Sequence, residues 1–391
     1  MGEFKFVTAG ESHGRGLIAI VEGMVAGLAI NEDYIAHDLK RRQTGYGRGG
    51  RMKIEQDRAE IVSGVRHGLT IGSPISLLIW NRDWDNWRET MSVDPVKSVE
   101  PITSPRPGHA DLAGVIKYGT GDIRPILERA SARETASRVA AGAVARRFLE
   151  EFDVTIHSRT ISIGNSWVED NIEVDWKKVE DSPVRCADAG AEKEMIVAID
   201  EAKEAGDTLG GLFELVATGV PVGLGSHVQW DYRIDGQIAQ AIMSINAVKG
   251  VEMGAGFTLA NIKGSEAHDI IEPDLRNEVF PWRRPTNRAG GVEGGISNGE
   301  PIIVRAAMKP IATLGKPLSS LDLYTGKRTQ AHYERSDICV VPAAGVIGEA
   351  MLAIVLANAM LKKFGGDSIK ETLANYHNYI KSAIPGKNHE K

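Results

Sequence analysis

Three clusters of arginine and glycine, and two histidines, are the residues here whose types and spacing could do chemistry. The first runs from Lys40 to Lys53, KRRQTGYGRGGRMK, with six basic residues, four glycines and no acid. Gly45, Gly47 and Gly50 formally satisfy the spacing GxGxxG, but a dinucleotide fingerprint needs a strand before it and a helix after it. Here a helical pattern (Asp33 to Arg42) precedes and the strand-like Met52 to Ile54 follows, so that fold is rejected. What remains is a loop that can bring guanidinium forks to phosphate or carboxylate oxygens, with a solvated basic loop as the plain alternative. In the second cluster the spacing predicts Arg129 and Arg133 one turn apart on one helix face, with Glu134 pairing Arg138. Ser131 could donate to a phosphate there, although surface pairing on an exposed helix is the simpler reading. The third, Arg283 to Gly299, holds Gly290, Gly291, Gly294, Gly295 and Gly299 beside Arg283, Arg284 and Arg288. That density suggests a backbone lying against a flat or phosphorylated ligand rather than turns alone.

His13 sits in Gly10-Glu11-Ser12-His13-Gly14, a polar turn between two apolar segments, and His109 in Arg106-Pro107-Gly108-His109-Ala110-Asp111. Imidazole titrates near neutrality and suits proton transfer to a leaving group; plain surface histidines are the alternative. No HxxxH or HExxH spacing suggests a metal, and no Walker A sequence exists. Cys186 and Cys339 are the only cysteines, far apart, so neither a disulfide framework nor a CxxC pair is expected. A net charge of −6 argues against general nucleic-acid or anionic-membrane binding, so any basic site is local. The 43 glycines in 391 residues exceed the usual ~7% and imply many turns or close ligand approaches. The N-terminus lacks a basic-then-apolar signal, and Val346 to Phe364 carries Glu349 and Asn358. That stretch reads as a buried core helix, and the expected compartment is the cytoplasm.

The elements that must position these residues can be read from periodicity. Strands are expected at Leu17 to Val25, Ile75 to Trp80, Val154 to Ile163, Phe213 to Val222 and Ile302 to Met308. Helices are expected at Glu32 to Arg42, Ile123 to Phe152, Glu192 to Ala205, Ile234 to Val248 and Gly345 to Phe364. The Ala- and Ser-rich stretch from Ala132 to Val144 lets a backbone approach its neighbour closely. Strands and helices intermix without regular alternation, which favours an α+β layered sandwich. Ser63 to Ser73 and Thr218 to Ser226 look alike and hint at an internal duplication. No linker divides the chain: one large domain over residues 1–384 and a polar tail, Pro385 to Lys391, are expected.

Taken in order, these segments resemble chorismate synthase. The resemblance rests on GESHG at Gly10 to Gly14, RRQTGYGRGGRM at Arg41 to Met52, and SGVRHGLTIGSPI at Ser63 to Ile75. It continues through RPGHAD at Arg106 to Asp111, ERASARETASRVAAGAVAR at Glu128 to Arg146, and SINAVKGVEMGAGF at Ser244 to Phe257. AGGVEGGISNG at Ala289 to Gly299, MKPIAT at Met308 to Thr313 and ERSDICVVPA at Glu334 to Ala343 complete it. Arg288 and Glu293 depart from other members, which have uncharged residues there.

The resemblance implies a β-α-β sandwich, a homotetramer, and anti 1,4-elimination of phosphate from 5-enolpyruvylshikimate 3-phosphate to give chorismate. It also implies reduced FMN, delivered by an external reductant with NADPH as the ultimate source. Carried over by motif, His13 protonates the departing phosphate with Ser12 beside it, and His109 holds the reduced flavin's anionic edge. Ser131 and Asp337 lie near the flavin's reactive nitrogen. Flavin contacts come from Arg129, Ala130, Ser131, Asn246, Ala247, Gly294, Lys309, Pro310, Ile311, Ala312, Thr313 and Arg335. Arg42 and Arg48 match positions assigned to NADPH; binding of the substrate's phosphate and carboxylates is preferred. The rivals are a nucleic-acid module, disfavoured by the acidic charge and the few aromatics near the runs, and a flavin-dependent oxidoreductase, which would consume NADPH.

Overall fold

A computed structural model describes residues 3–49, 56–96, 99–169, 172–274, 281–334 and 336–382. Gly50 to Lys53 of the first basic cluster, with the strand expected at Met52 to Ile54, lie outside these residues, as do Arg335 and the tail from Pro385.

The first half of the chain forms β1 (Lys5–Ala9), β2 (Gly16–Glu22), α1 (Glu32–Gln43), β3 (Ala59–Ile61), the hairpin β4 (Val65–Arg66) and β5 (Leu69–Thr70), and β6 (Ile75–Trp80). Short helices α2 (Trp84–Trp87), α3 (Asp111–Tyr118) and α4 (Arg124–Arg129) lead into α5 (Thr135–Glu150). The second half opens with β7 (Thr155–Ile163), β8 (Ser166–Trp167), α6 (Trp176–Asp181), α7 (Ala189–Ala205) and β9 (Gly211–Thr218). Then come α8 (Ile234–Met243), β10 (Val248–Met253), α9 (Gly264–Ala267), β11 (Glu272–Pro273) and β12 (Trp282–Arg283). The hairpin β13 (Val292–Glu293) and β14 (Ile296–Ser297), β15 (Ile302–Met308), α10 (Val341–Phe364) and α11 (Ile369–Ser382) follow.

Two antiparallel sheets, ordered β1-β2-β6-β3 and β10-β15-β9-β7-β8, enclose a helical middle. Helix α5 packs on the first sheet, α10 on the second, and the two helices pack on each other. The fold is therefore α+β, a sandwich with helices as its filling. The alternation of β2, buried at Leu17, Ala19 and Val21, turns one sheet face onto α5. Helix α10 is apolar all round because it lies between layers; it is the one described helix long and apolar enough to span a membrane, and 89% of its apolar window is buried in the fold. Where it meets α5 only small residues fit: a Cβ on Gly142 would sit 2.4 Å from the Cβ of Ala350. The polar interruptions of α10 are partnered. Glu349 accepts from Arg41 (2.8 and 2.9 Å), Ser158 (2.6 Å), Arg185 (3.2 Å) and Arg146, while Asn358 accepts from the Phe4 amide (3.2 Å).

The duplication is real, but its register differs from the one expected. In sheet order β1, β2, β6 and β3 correspond to β7, β9, β15 and β10. The segment Thr218 to Ser226 corresponds to residues 22–30, and Ser63 to Ile75 corresponds to residues 290–302. Hydrogen bonds fix this assignment. Thr70 receives the Leu28 amide on Oγ1 (2.9 Å), donates its own amide to Leu28 O (2.9 Å), and donates Oγ1–H to Val25 O (2.6 Å). Ser297 repeats all three with Leu224 (2.8 and 2.9 Å) and Pro221 O (2.6 Å). Both compared segments read GVxxGL because both are tight turns with glycines at positive φ (Gly64 and Gly68, Gly219 and Gly223), although Leu69 is exposed and Leu224 buried.

Two further expectations change. The helix expected from Ile123 to Phe152 breaks at Ala130 and Ser131. Ser131 is extended (φ −62°, ψ 142°) and its side chain accepts from the Arg133 amide, starting a 3-10 turn at Ala132–Glu134 before α5. Arg129 and Arg133 therefore do not share a face: Arg129 is exposed on the β1–β2 loop, and Arg133 is buried against Asp57 and Asn81. The Glu134–Arg138 pair does form (2.9 Å). Second, the glycines of the third cluster are accounted for by turns. Gly290, Gly291, Gly294, Gly295 and Gly299 all have positive φ, and four of them stand opposite Gly64, His67, Gly68 and Gly72 of the first repeat, which are left-handed too. The arginines beside them pair locally, Arg283 with Glu272 and Arg284 with Glu293 (both 2.9 Å).

Candidate active site

The short loop between β1 and β2 carries Ser12 and His13, and α4 holds it from outside the sheet. The Ser12 amide donates to Glu128 O (3.1 Å) and the His13 amide to Glu128 Oε2 (2.7 Å). The His13 ring places Nδ1 2.9 Å from Glu128 Oε1 and stacks on Trp87, with centroids 3.8 Å apart. Asn81 at the end of β6 donates to Gly14 O (2.7 Å) and Glu11 O (3.2 Å), closing the turn. Glu128 also accepts from Arg124 (3.0 Å), whose other partner is Glu334 (2.7 Å). Burial alone would raise both carboxyls. Hydrogen bonds and charge from His13 and Arg124 bring Glu128 below its ordinary value, and His332 and Arg124 bring Glu334 to about 2.

The break after α4 is what delivers the next group. Ser131 Oγ reaches Ser12 Oγ at 3.1 Å, and Ala130 O accepts from Asn246 Nδ2 (3.0 Å). Asn246 Oδ1 is buried without a hydrogen-bond partner among the described residues, and Ala247 stands at φ 66°, an unusual value for a residue with a side chain. Ala247 O accepts the Lys309 amide (3.0 Å), which brings the end of β15 and the segment Lys309, Pro310, Ile311, Ala312 and Thr313 alongside.

His109 reaches the same wall from the Pro-rich loop. Its Nδ1 lies 2.6 Å from Asp111 Oδ1, and Arg106 lies along the ring, 3.0 Å from Nδ1. Buried Arg106 donates to Asp111 (2.8 Å) and Thr313 (3.0 Å), and Lys309 Nζ donates to Gly108 O (2.8 Å). Burial would raise Asp111, yet hydrogen bonds from His109 and Arg106 hold it well below the carboxylate range. Burial and the neighbouring Lys249 lower the Lys309 ammonium.

The first basic cluster closes the far side. Arg42 is buried, donating to Thr135 Oγ1 (2.9 Å) and Ala132 O (2.9 Å) and pairing with Asp57 (3.4 Å). Arg48 Nη1 lies 3.1 Å from Asp337, which also accepts the Gly49 amide. Gly47 O receives the Ile338 amide (2.8 Å), fastening the loop to the Asp337 segment.

Ser12, His13, His109, Ala130, Ser131, Asn246, Ala247 and Lys309 to Thr313 thus come together, with Arg42, Arg48 and Asp337 beside them. Arg129 borders the group with its side chain turned to Thr8 and Gly10. Gly294 does not join it: its hairpin sits at the start of β15 and Lys309 at the end, roughly 20 Å away over seven residues. Arg335 is outside the described residues. Sequence reading missed Glu128, Asp111, Arg106 and Trp87. Asp111, two positions after His109, carried a local signal; Glu128, 115 residues from His13, carried none. Among the described residues no cluster of His, Cys, Asp or Glu could hold a metal ion.

Fold and site together define an α+β protein in which hydroxyls, imidazoles and cations line one wall. Residues 4–361 match the family model described as chorismate synthase. The chain is 55% identical to chorismate synthase of Aquifex aeolicus (strain VF5), covering 97% of this chain and 98% of that one. It is 55% identical to chorismate synthase of Moorella thermoacetica, covering 96% and 99%. A crystal structure of chorismate synthase superposes with a TM-score of 0.78 at 45% identity, over 97% of this chain and 98% of that one. The chain belongs to the chorismate synthase family and is an enzyme of that type, a lyase of aromatic amino-acid biosynthesis.

Proposed function

We propose that the protein eliminates phosphate from 5-enolpyruvylshikimate 3-phosphate in the anti 1,4 sense, giving chorismate, and that it does so with reduced FMN at the wall described above. The observation that carries this reading is the convergence of the His13 and His109 loops on Ser131, Asn246 and Lys309–Thr313 in a chain of this family. The wall fits a flavin: Asn246 Oδ1 is a buried acceptor without a partner among the described residues, and Ala247 keeps a costly backbone angle beside it. When bound, reduced FMN would supply a transient electron for loss of the phosphate together with a weakly acidic allylic hydrogen.

The protein's own residues do the rest. His13 Nε2, turned away from Glu128, delivers a proton to the departing phosphate, with Ser12 and Ser131 as hydroxyl donors beside it. His109, with Arg106 and Lys309 behind it, supplies positive potential to an anionic ring edge. Asp337 moves a proton near the flavin, and Arg48 is its counter-charge and the nearer contact for substrate carboxylate or phosphate. Arg42 supports that wall from inside. Reduced flavin arrives from an external system fed by NADPH, in the cytoplasm. Gly294, remote within one chain, enters a cofactor site only from another subunit of a tetramer.

The test is anaerobic turnover of 5-enolpyruvylshikimate 3-phosphate with chemically reduced FMN. Chorismate and phosphate are expected in equal amounts, with none formed from oxidised FMN. Full activity in flavin-free, oxygen-saturated buffer would overturn the flavin assignment, and NADPH oxidised mole for mole with substrate would make the protein an oxidoreductase instead.

A further inference from the structure

We infer that Glu128 is a positioning residue for His13, fixing the ring's orientation and tautomer so that Nε2 is presented to the substrate. The inference rests on the reading of His13 as the acid. Glu128 is 1% exposed, and it meets the loop in three ways at once. Its carbonyl takes the Ser12 amide, one carboxylate oxygen takes the His13 amide, and both oxygens lie within 3.1 Å of His13 Nδ1. An ionised carboxylate can only accept, so Nδ1 must carry a proton to satisfy it, and proton exchange with a ligand falls to Nε2.

Glu128 is itself immobilised. Arg124 grips it at 3.0 Å and is tied to Glu334 at 2.7 Å, with His332 3.4 Å from Glu334 on the outer side. Trp87 covers one face of the imidazole at 3.8 Å and lies under the Arg124 guanidinium at 5.3 Å, which limits ring rotation and keeps water from that face. A base held by a third group that sets its orientation is the general logic of an activated proton-transfer residue. A carboxylate used only to stabilise the fold would not need to straddle backbone and ring of the same histidine.

The experiment compares His13→Ala, Glu128→Gln and the double variant. Glu128→Gln is expected to lower kcat by about tenfold to a hundredfold with KM changed by less than about threefold. Added to His13→Ala, Glu128→Gln should lower kcat no further, because it acts through a ring that is gone. Glu128→Asp keeps the charge and should recover most of the loss; if Glu128→Gln does not fold, wild type against Glu128→Asp decides, a modest kcat loss at constant KM being expected and none overturning the inference. If His13→Ala turns over normally, the reading of His13 falls and this inference with it. If His13→Ala is slow but Glu128→Gln is normal, or Glu128→Gln costs as much in the His13→Ala background as alone, Glu128 has no positioning role and the acid assignment survives.

Discussion

His13 and His109 present the same chemical motif on different supports. Each has Nδ1 against a fully buried carboxylate, Glu128 at 2.9 Å and Asp111 at 2.6 Å. The His13 carboxylate arrives from α4, 115 residues away, and is surrounded by the hydroxyls of Ser12 and Ser131 and the Trp87 ring. The His109 carboxylate is the first residue of α3, two positions on, and its company is cationic: Arg106 on the same Asp111 and Lys309 on the preceding carbonyl. Around His13 the Arg124 cation is offset by Glu128 and Glu334, beside two hydroxyls, a setting that suits delivery of a proton to a leaving group; the cationic excess around His109 suits holding negative charge. The difference in support is the ground for proposing two roles that the bare residue type cannot distinguish.

The largest expected effect falls on the first station. His13→Ala should lower kcat by about 10²–10⁴ with little change in substrate affinity, the usual range for a lost general acid. Flavin absorbance in single-turnover runs should be unaltered before substrate is added. A His13→Ala enzyme whose bound-flavin spectrum shifts as much as its rate would erase the distinction between the stations.

His109→Ala should act through the cofactor. Losing one charge-assisted contact costs roughly 1.5–3 kcal/mol, or about tenfold and more in binding of reduced flavin. Anaerobic titration of reduced FMN measures this directly. Unchanged flavin affinity, with turnover as slow as in His13→Ala, would place His109 in proton transfer instead.

How far the sequence showed this site follows from where each partner lies along the chain. Strands Ile75–Trp80 and Ile302–Met308 were legible to the residue as short apolar runs. The buried helix Val341–Phe364 was legible from its apolar run except for its first turn, since the expected start was Gly345. The Ile123 to Phe152 helix was not: Ala130 and Ser131 have no Pro or Gly to announce a break, and tertiary bonds to Asn246 and Ser12 hold it open. The His109 cassette could have been read locally, as Arg106 and Asp111 flank it. Glu128 could not, because no spacing rule links a loop at residue 13 to a helix at residue 128. The turn geometry of the third glycine cluster becomes evident only beside the matching turns at Gly64 to Gly72.

The smallest effect sharpens the comparison at the level of stability. Hydrogen bonds from His109 and Arg106 outweigh burial and hold Asp111 below its unfolded value. A carboxyl shifted in that direction contributes stability that is complete above about pH 4, the unfolded range, and is lost as pH falls toward the folded value. Asp111→Asn removes the charge but keeps one acceptor oxygen. It should therefore cost about 1–3 kcal/mol near neutrality, the usual cost of leaving a buried donor without its partner. The gap from wild type should narrow as pH drops below about 4, where the wild-type carboxyl begins to lose the same contribution. Denaturant midpoints at pH 7, 5 and 3.5 measure it. Since Asp111 and His109 form a local cassette, the variant should leave kcat within about twofold of wild type once flavin is saturating. A stability gap that stays constant to pH 3.5 would mean that Asp111 contributes by packing rather than charge, and the cationic character of the His109 station would then rest on Arg106 and Lys309 alone.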